Sequence, residues 1–322
     1  MSQSAVIKVK KELRSTNDLM MLVDVLKRVA AAQFQILDDH RKQLGWTRIE
    51  LPSEEGADAN DQPPQESEGG RPMGQSRRQG PPLSFTALLE NFLRLIPTDG
   101  CGHPFFQEPA KPMGIVIMTS DEGFLGGLNA MVIQKALSAR GNQEAELMVI
   151  GERGNIYLKD LGERFTAFPG VGEPINSREV EGLRDYIVEQ FLQRKFGAVQ
   201  VVYPRCFSFT HQELDSFQLL PCKRSWLKVV SSDPAEPYFE PSAYSIVEYI
   251  IRLWLGRKLH EVFWQSRLSE LAVRATHLEA SLQGLGEQKK KLTLQYFRNK
   301  HEVTDTSIRE SYAGVLSRKK RG

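Results

Sequence analysis

Apolar residues at both ends of the chain recur with the spacing of long helices. Residues 6–44 contain neither glycine nor proline, and four apolar positions there are separated by three, four and three residues. This spacing is typical of a coiled-coil seam. The predicted seam consists of Leu19, Leu22, Leu26 and Val29. At about 1.5 Å per residue the helix would be roughly 60 Å long, more than a compact domain usually accommodates, so part of it should project.

The C-terminal part of the chain predicts a second, longer helix. Residues 242–316 lack proline, and a strict three-four spacing gives the seam Leu268, Leu271, Ala275, Leu278, Leu282 and Leu285. If continuous, this helix would be about 110 Å long. Lys289 and Asn299 fall on the same seam, so pairing should weaken towards the end, and Gly284 and Gly286 mark a place where the helix could bend. The two helices can pair only if the middle of the chain forms a long connection between them.

The middle third alternates short apolar runs with helical stretches. Strands are predicted at 114–118, 146–150 and 198–203, and helices at 129–139 and 177–195. This alternation indicates an α/β layer with a mainly parallel sheet. The predicted fold class is therefore α/β, with a small Rossmann-like α/β domain inserted between long N- and C-terminal helices that pair as an antiparallel coiled coil.

One segment differs in composition from everything around it. Residues 52–82 are rich in Glu, Gly, Gln, Pro and Ser and offer almost nothing to bury, which predicts a disordered insertion. It is either a tolerated surface loop or a docking segment that uses Arg71, Arg77 and Arg78. The predicted organisation is a helix at 1–50, the insertion at 51–83, the α/β domain at 84–240, the second helix at 241–316 and a basic tail at 317–322.

Composition and charge exclude several classes of protein. The chain of 322 residues is 40% hydrophobic, and its 42 Lys and Arg nearly balance 40 Asp and Glu, so the net charge of +2 gives no reason to expect nucleic acid as a partner. Cys101, Cys206 and Cys222 are an odd number without CxxC spacing, which argues against a disulfide framework or a zinc site. No apolar stretch reaches the roughly 18 residues of a membrane span, and no secretory signal is recognisable. We expect a reducing cytoplasm.

The glycine-rich turn between the first strand and the first helix of the middle domain has two interpretations. Phosphate-binding loops occupy such positions, but the turn lacks both the Lys-Ser/Thr pair of GxxxxGK[ST] and the GxGxxG pattern. We therefore predict a tight structural turn in which glycines adopt positive φ angles. Its residues are Asp121, Gly123, Gly126, Gly127 and Asn129. The six histidines form no metal-binding spacing, and we predict no catalytic residue, no metal and no cofactor.

Residues 114–128, GIVIMTSDEGFLGGL, resemble the signature of the gamma subunit of F-type ATP synthases, in which a strand leads into a TDRGLCGGLN turn and a helix. Glu122 and Leu125 replace the usual Arg and Cys. Further matches follow in order: residues 201–221 are similar to the family's strand, long polar loop and QLLP, and 269–274 to its SE-x-A-x-R segment. Residues 29–31 match the end of its MVAA motif. The resemblance covers nearly the whole chain outside the insertion.

This resemblance implies a non-catalytic rotor shaft that couples ion flow through a membrane sector to ATP synthesis or hydrolysis. The implied partners are the alpha and beta subunits of the catalytic ring, an epsilon-type subunit and the c-ring, at the cytoplasmic face of the inner membrane, where the chain would be peripheral. Candidate contacts with the ring are Arg252, Arg257, Lys258, Ser269, Glu270 and Arg274. The alternatives are a coiled-coil scaffold unrelated to a motor and, more distantly, a nucleotide-dependent enzyme.

Overall fold

In the computed structural model, two long helices pair with each other beside a five-stranded sheet. The structure describes residues 3–43, 88–89, 91–92, 103–107, 112–141, 143–170, 172, 175, 177–222, 240 and 242–319. The predicted insertion at 51–83 lies outside these residues. The helices are α1 (Gln3–Gln43), α2 (Leu128–Arg140), α3 (Glu152–Asp160), α4 (Ser177–Leu192) and α5 (Ala243–Lys319), with a short 3-10 helix at Pro104–Phe106. The strands are β1 (Met113–Met118), β2 (Ala145–Ile150), β3 (Phe165–Phe168), β4 (Ala198–Ser208) and β5 (His211–Leu220).

The sheet has the strand order β3-β2-β1-β4-β5. All neighbouring strands are parallel except β4 and β5, which are antiparallel. Alternate residues of β1 point to opposite faces, as the two-residue period of a strand requires. Ile115 and Ile117 pack against α2 and α3, whereas Val116 and Met118 belong to a larger core with α4 and the first turns of α5. The predicted α/β class is confirmed.

The sheet is larger than the sequence predicted. Two strands, β3 and β5, and the helix α3 add to the three strands and two helices that the apolar runs indicated. Residues 211–220, which resemble a long polar loop of the gamma family, form β5 instead. Polar side chains suit this strand because it lies at the edge of the sheet. Its Asp215 accepts hydrogen bonds from Tyr203 and Arg205 of the neighbouring strand.

The long helices α1 and α5 pair in opposite directions. Lys27 Nζ lies 2.7 Å from Glu279 Oε2, and further along α1 the side chain of Phe34 clusters with Leu268 and Leu271. Residue numbers therefore rise along α1 as they fall along α5, which confirms the predicted antiparallel pair. The same register places the start of α1 opposite about residue 303 of α5. The remaining C-terminal turns of α5 extend beyond α1 as a single helix.

The seam of α1 is not the predicted one. Its buried positions are Val9, Thr16, Val23, Ala30 and Phe34. The same three-four spacing continues through half-buried positions before, between and after them: Val6, Leu13, Met20, Lys27, Leu37 and Arg41. The predicted seam is wrong, since Leu22 is 59% and Val29 48% exposed and their two companions are exposed as well. The helix carries two such series, and between residues 19 and 30 the one that faces α5 is the less apolar.

The seam of α5 agrees better with the prediction. Leu268, Leu271, Ala275 and Leu278 are buried, and Leu282 and Leu285 are half-buried. Further along, Leu292 and Asn299 are buried, while Lys289 is exposed. The helix continues without interruption through Gly284 and Gly286 to Lys319. Its 77 residues correspond to about 115 Å.

Candidate functional site

The turn between β1 and α2 is closed by its own side chains. The Ser120 amide donates to Asn129 Oδ1 at 3.2 Å, and Asn129 Nδ2 donates to Ser120 Oγ at 2.8 Å. Ser120 Oγ in turn donates to the carbonyl of Glu122 at 2.9 Å. Asn129 therefore fastens the end of β1 to the first turn of α2. The side chains of Ser120 and Asn129 are therefore engaged with each other.

Positive φ angles occur at only one of the three glycines predicted to need them. Gly126 has a φ of +56°, and a Cβ atom there would lie 3.1 Å from Cδ2 of His277 on α5. The other left-handed residue is Phe124, at 64°, whose side chain is exposed. Gly127, with a φ of −96°, has no such requirement. The turn thus combines one glycine with one non-glycine residue in a region that L-residues seldom adopt.

Asp121 links the turn to the neighbouring helix, not to the helix that follows it. Its Oδ1 accepts the backbone N–H of Glu152, the first residue of α3, at 2.9 Å. A carboxylate at a helix N-terminus satisfies a free N–H group and interacts favourably with the helix dipole. Gly170, beyond β3, fits closely around the same carboxylate, because a Cβ there would come within 2.0 Å of Oδ2. Asp121 is therefore a cross-link between three segments of the domain.

A set of charged residues joins this turn to α5. Arg274 Nη1 lies 2.7 Å from Glu122 Oε2, and one turn back along α5 Arg267 Nη1 lies 2.9 Å from Glu270 Oε2. Between them Ser269 Oγ donates to the carbonyl of Pro204 in β4 at 3.1 Å. Ser269 is fully buried, Glu270 is 2% exposed and Arg274 is 8% exposed. We name Arg267, Glu270, Arg274 and Glu122 the charge ladder.

Burial raises the pKa of the Glu270 carboxyl to about 7, although Arg267 and Arg274 act to lower it. The pKa of Glu270 in the folded chain exceeds the ordinary value of 4.5. The carboxyl group therefore contributes its full stabilisation below about pH 4.5, and this contribution is lost as the pH rises through about 7. The loss amounts to about 3 kcal/mol. We expect Glu270→Gln to flatten the dependence of unfolding free energy on pH between 5 and 8, approximately the window of the shift.

Urea unfolding of the wild type and of Glu270→Gln at about pH 5 and about pH 8 measures this pH dependence. Equal pH slopes in the wild type and in Glu270→Gln would contradict the assignment. Glu181→Gln, a change of the same kind at an exposed carboxylate of α4, serves as the control and should keep the wild-type slope.

The six candidate ring contacts all lie in α5 and are engaged within the chain. Arg252 pairs with Glu248 at 2.8 Å, while Arg257 and Lys258 lie 3.5 and 3.3 Å from the carboxylate of Glu261. Ser269 and Arg274 contact the α/β domain, and Glu270 pairs with Arg267 of α5 itself, as described above. A buried side chain has little surface to offer a neighbouring subunit. The structure therefore favours an internal role for the last three residues.

The sequence analysis missed an exposed apolar surface on α1. It consists of Leu19, Leu22, Val25, Leu26, Val29 and Ile36, which we name the outer face of α1. The residues recur at helical spacing on a side of α1 that α5 does not cover. A smaller exposed set, Ile308, Tyr312 and Val315, follows the same spacing on the C-terminal turns of α5. Four residues of the outer face were noticed in the sequence but assigned to the seam.

Comparison with known proteins identifies the family. A family model described as ATP synthase matches residues 83–315. The chain belongs to this family. The ATP synthase gamma chain of Heliobacterium modesticaldum is 26% identical over 224 residues, which make up 67% of this chain and 77% of that one. The gamma chain of Neisseria meningitidis serogroup C is 25% identical over 218 residues, covering 64% and 74% of the two chains.

The fold of this ATP synthase family member also occurs in a solved ATP synthase structure. A chain in the cryo-EM structure of Euglena gracilis mitochondrial ATP synthase, comprising OSCP, F1 and c-ring in rotational state 3, superimposes with a TM-score of 0.65. The sequences are 13% identical, and the match covers 98% of this chain and 95% of that one, which establishes the shared fold.

Together these findings make the chain a homologue of the ATP synthase gamma chain, the central rotor stalk of the F-type enzyme, as the signature predicted. Within the described ranges, no helix has an apolar stretch sufficient to cross a bilayer. The same residues include no group of three or more His, Cys, Asp or Glu side chains that could hold a metal ion.

Proposed function

We propose that this chain is the non-catalytic shaft of a rotary ATP synthase and transmits torque between a catalytic ring and a membrane rotor. The observation that carries the proposal is that α1 has two apolar faces, of which α5 covers one. A monomeric protein rarely exposes a continuous apolar stripe of this kind unless a partner binds there. The family membership of the chain gives that partner its identity.

The outer face of α1 suits a partner that surrounds the helix pair. Burying a side chain such as Leu22 or Leu26 stabilises a complex by about 1.5–3 kcal/mol each. The face runs along the helix from Leu19 to Ile36, about 25 Å. A ring of alternating alpha and beta subunits would contact such a face along its length. The uncovered turns of α5, with Ile308, Tyr312 and Val315, would enter the ring furthest.

The opposite end of the shaft carries the α/β domain. In this proposal the domain faces the c-ring and an epsilon-type subunit, and the chain is peripheral to the cytoplasmic face of the inner membrane. The chain performs no chemistry itself, which agrees with the internal bonding of its glycine-rich turn. Because the shaft is asymmetric, its orientation would favour a different conformation at each catalytic site, so that binding energy at one site shifts the others.

Assembly with the catalytic subunits tests the proposal. The chain is co-expressed with the alpha and beta subunits of its own source, purified through a tag on this chain, and assayed for subunit stoichiometry and ATP hydrolysis. We expect three copies of each large subunit per copy of this chain, and hydrolysis that depends on its presence. A homodimer without affinity for those subunits would refute the proposal and favour a coiled-coil scaffold.

A variant of the outer face sharpens the test. Replacing Leu22, Leu26 and Val29 together by serine removes apolar surface from the outer face without touching the α5 seam. We expect the isolated variant to unfold as the wild type does, but at least a tenfold lower yield of the complex. Serine at the exposed polar positions Lys10, Arg14 and Asp18 of α1 serves as the control. If both variants assemble like the wild type, the outer face is not a contact surface.

A further inference from the structure

Beyond the first turns of α5, which belong to the domain core, the α/β domain contacts α5 at two places of different chemistry. At the first, the contact with β4 is short-ranged and uncharged: Ser269 Oγ donates to Pro204, and the amide of Cys206 donates to Gln265 Oε1 at 3.1 Å. At the second, the turn after β1 reaches α5 through the pair of Glu122 and Arg274. Ser269 and Arg274 are five residues apart, which is about 140° around the helix, so the two contacts lie on different sides of α5.

The charge ladder places two arginines and one glutamate in the protein interior. Isolated charges are expensive to bury, and a ladder of alternating sign reduces that cost. Arg274 is held by one ion pair: its Nη1 pairs with Glu122, whereas Nη2 is buried without a partner among the described residues. The position of Arg274 therefore depends on Glu122 more than on any other contact that the structure records for its guanidinium.

The sequence departs from the gamma signature at this very residue. The signature has an arginine where this chain has Glu122, while the arginine of the SE-x-A-x-R segment is retained as Arg274. The reversal of charge allows an ion pair, because Glu122 Oε2 lies 2.7 Å from Arg274 Nη1. An arginine at position 122 would face another arginine. The ion pair is thus a feature of this chain and does not follow from the signature.

We propose that Glu122 and Arg274 are positioning residues that fix the angle of the α/β domain on α5 while torque passes between them. The inference rests on the rotor function proposed above. A charge-assisted hydrogen bond depends on distance and direction, and this pair holds α5 about one turn beyond its contact with β4 at Ser269. The pair therefore opposes twisting of α5 where the helix leaves the domain. When it is lost, part of each step is taken up by that twist, because the first turns of α5 stay fixed in the domain core.

Substitution of Glu122 provides the test, because its side chain is 62% exposed and its replacement leaves the core intact. Glu122→Asp, Glu122→Gln and Glu122→Arg are compared in the complete ATP synthase in inverted membrane vesicles. The two readouts are ATP hydrolysis and the membrane potential generated by it, which an oxonol dye reports whichever cation is transported. We expect the potential per ATP to follow the order wild type, Asp, Gln, Arg, with at least a threefold loss in the Arg variant.

The same three changes at Glu181, an exposed carboxylate of α4, are the matched control and should leave the ratio unchanged. A ratio that is equal in all the Glu122 variants, or that falls in the same way in the Glu181 series, overturns the proposal. A merely structural role would lower hydrolysis and potential together and leave their ratio constant, which also overturns it.

A second measurement does not depend on the motor. A double-mutant cycle of Glu122→Gln and Arg274→Gln is measured by urea unfolding of the full chain. We expect the unfolding equilibrium constant to show at least a threefold coupling between the two sites. Additive effects overturn the ion pair itself. If the wild-type chain fails to assemble with the catalytic subunits, the rotor function fails, and this cycle still decides whether the two residues fix the helix to the domain.

Discussion

Replacing Ala30 by glutamate is expected to separate α1 from α5, whereas the same replacement at its neighbour Val29 is not. Ala30 is 1% exposed and lies in the seam, so a carboxylate there would be buried without a partner. Such a burial costs about 3 kcal/mol or more, and the larger side chain would also push the helices apart. Val29 faces solvent, and its replacement changes stability by about 0.5 kcal/mol or less.

Urea unfolding followed by circular dichroism measures both variants. The comparison is sharp because the two residues are adjacent and receive the same new side chain. Equal losses of stability, or a greater loss at Val29, would show that the predicted seam faces α5 after all. The replacement at Val29 should nevertheless affect the assembled complex: it should weaken binding to the catalytic ring while leaving the isolated chain folded.

The second large effect is expected from Gly151→Val in the turn between β2 and α3. Gly151 has a φ of +100°, and a Cβ atom there would lie 2.5 Å from the carbonyl oxygen of Thr119, a backbone atom that cannot move aside. Valine adds both this clash and a backbone conformation that β-branched residues rarely adopt. We expect a loss of at least about 3 kcal/mol and little soluble protein.

Gly127→Ala is the natural control, because it lies in the neighbouring glycine-rich turn and no atom lies within 4 Å of the added Cβ. It should retain wild-type yield and a urea midpoint close to that of the wild type. Soluble, stable Gly151→Val protein would show that the close contact with Thr119 does not constrain the domain.

Local patterns were sufficient to predict the two long helices and the buried strands of this fold. The absence of proline over residues 242–316 and the three-four spacing from Leu268 onwards depend on the helix alone, and α5 extends over nearly the predicted range. The buried strands β1 and β2 are continuous apolar runs, which are equally visible in one dimension. Strand β5 was missed because an edge strand needs only one apolar face, and its alternating polar residues resemble a loop.

Patterns that depend on a partner could not be assigned in the same way. Between residues 19 and 30 the series containing Leu22 and Val29 is more apolar than the one containing Met20 and Lys27, so the spacing within this segment alone favours the wrong face. Only the position of α5 decides between them. The same is true of the candidate site: the sequence marked Asp121 as a turn residue, but its bond to Glu152 of α3 follows from the packing of β1 beside β2. Burial of Glu270 and Arg274 is likewise a property of the folded chain.

The path of α5 has a mechanical consequence. Its first turns, including Val247, Ile251 and Leu255, belong to the core of the α/β domain, and the same unbroken helix continues to Lys319. No hinge therefore separates the domain from the distal end, and elastic deformation under load must be distributed along the helix itself. Torsional compliance should be lowest where the sheet and α1 both surround α5, and highest beyond about residue 303, where one helix bears the load alone. The torsional stiffness of the chain therefore varies along a single helix.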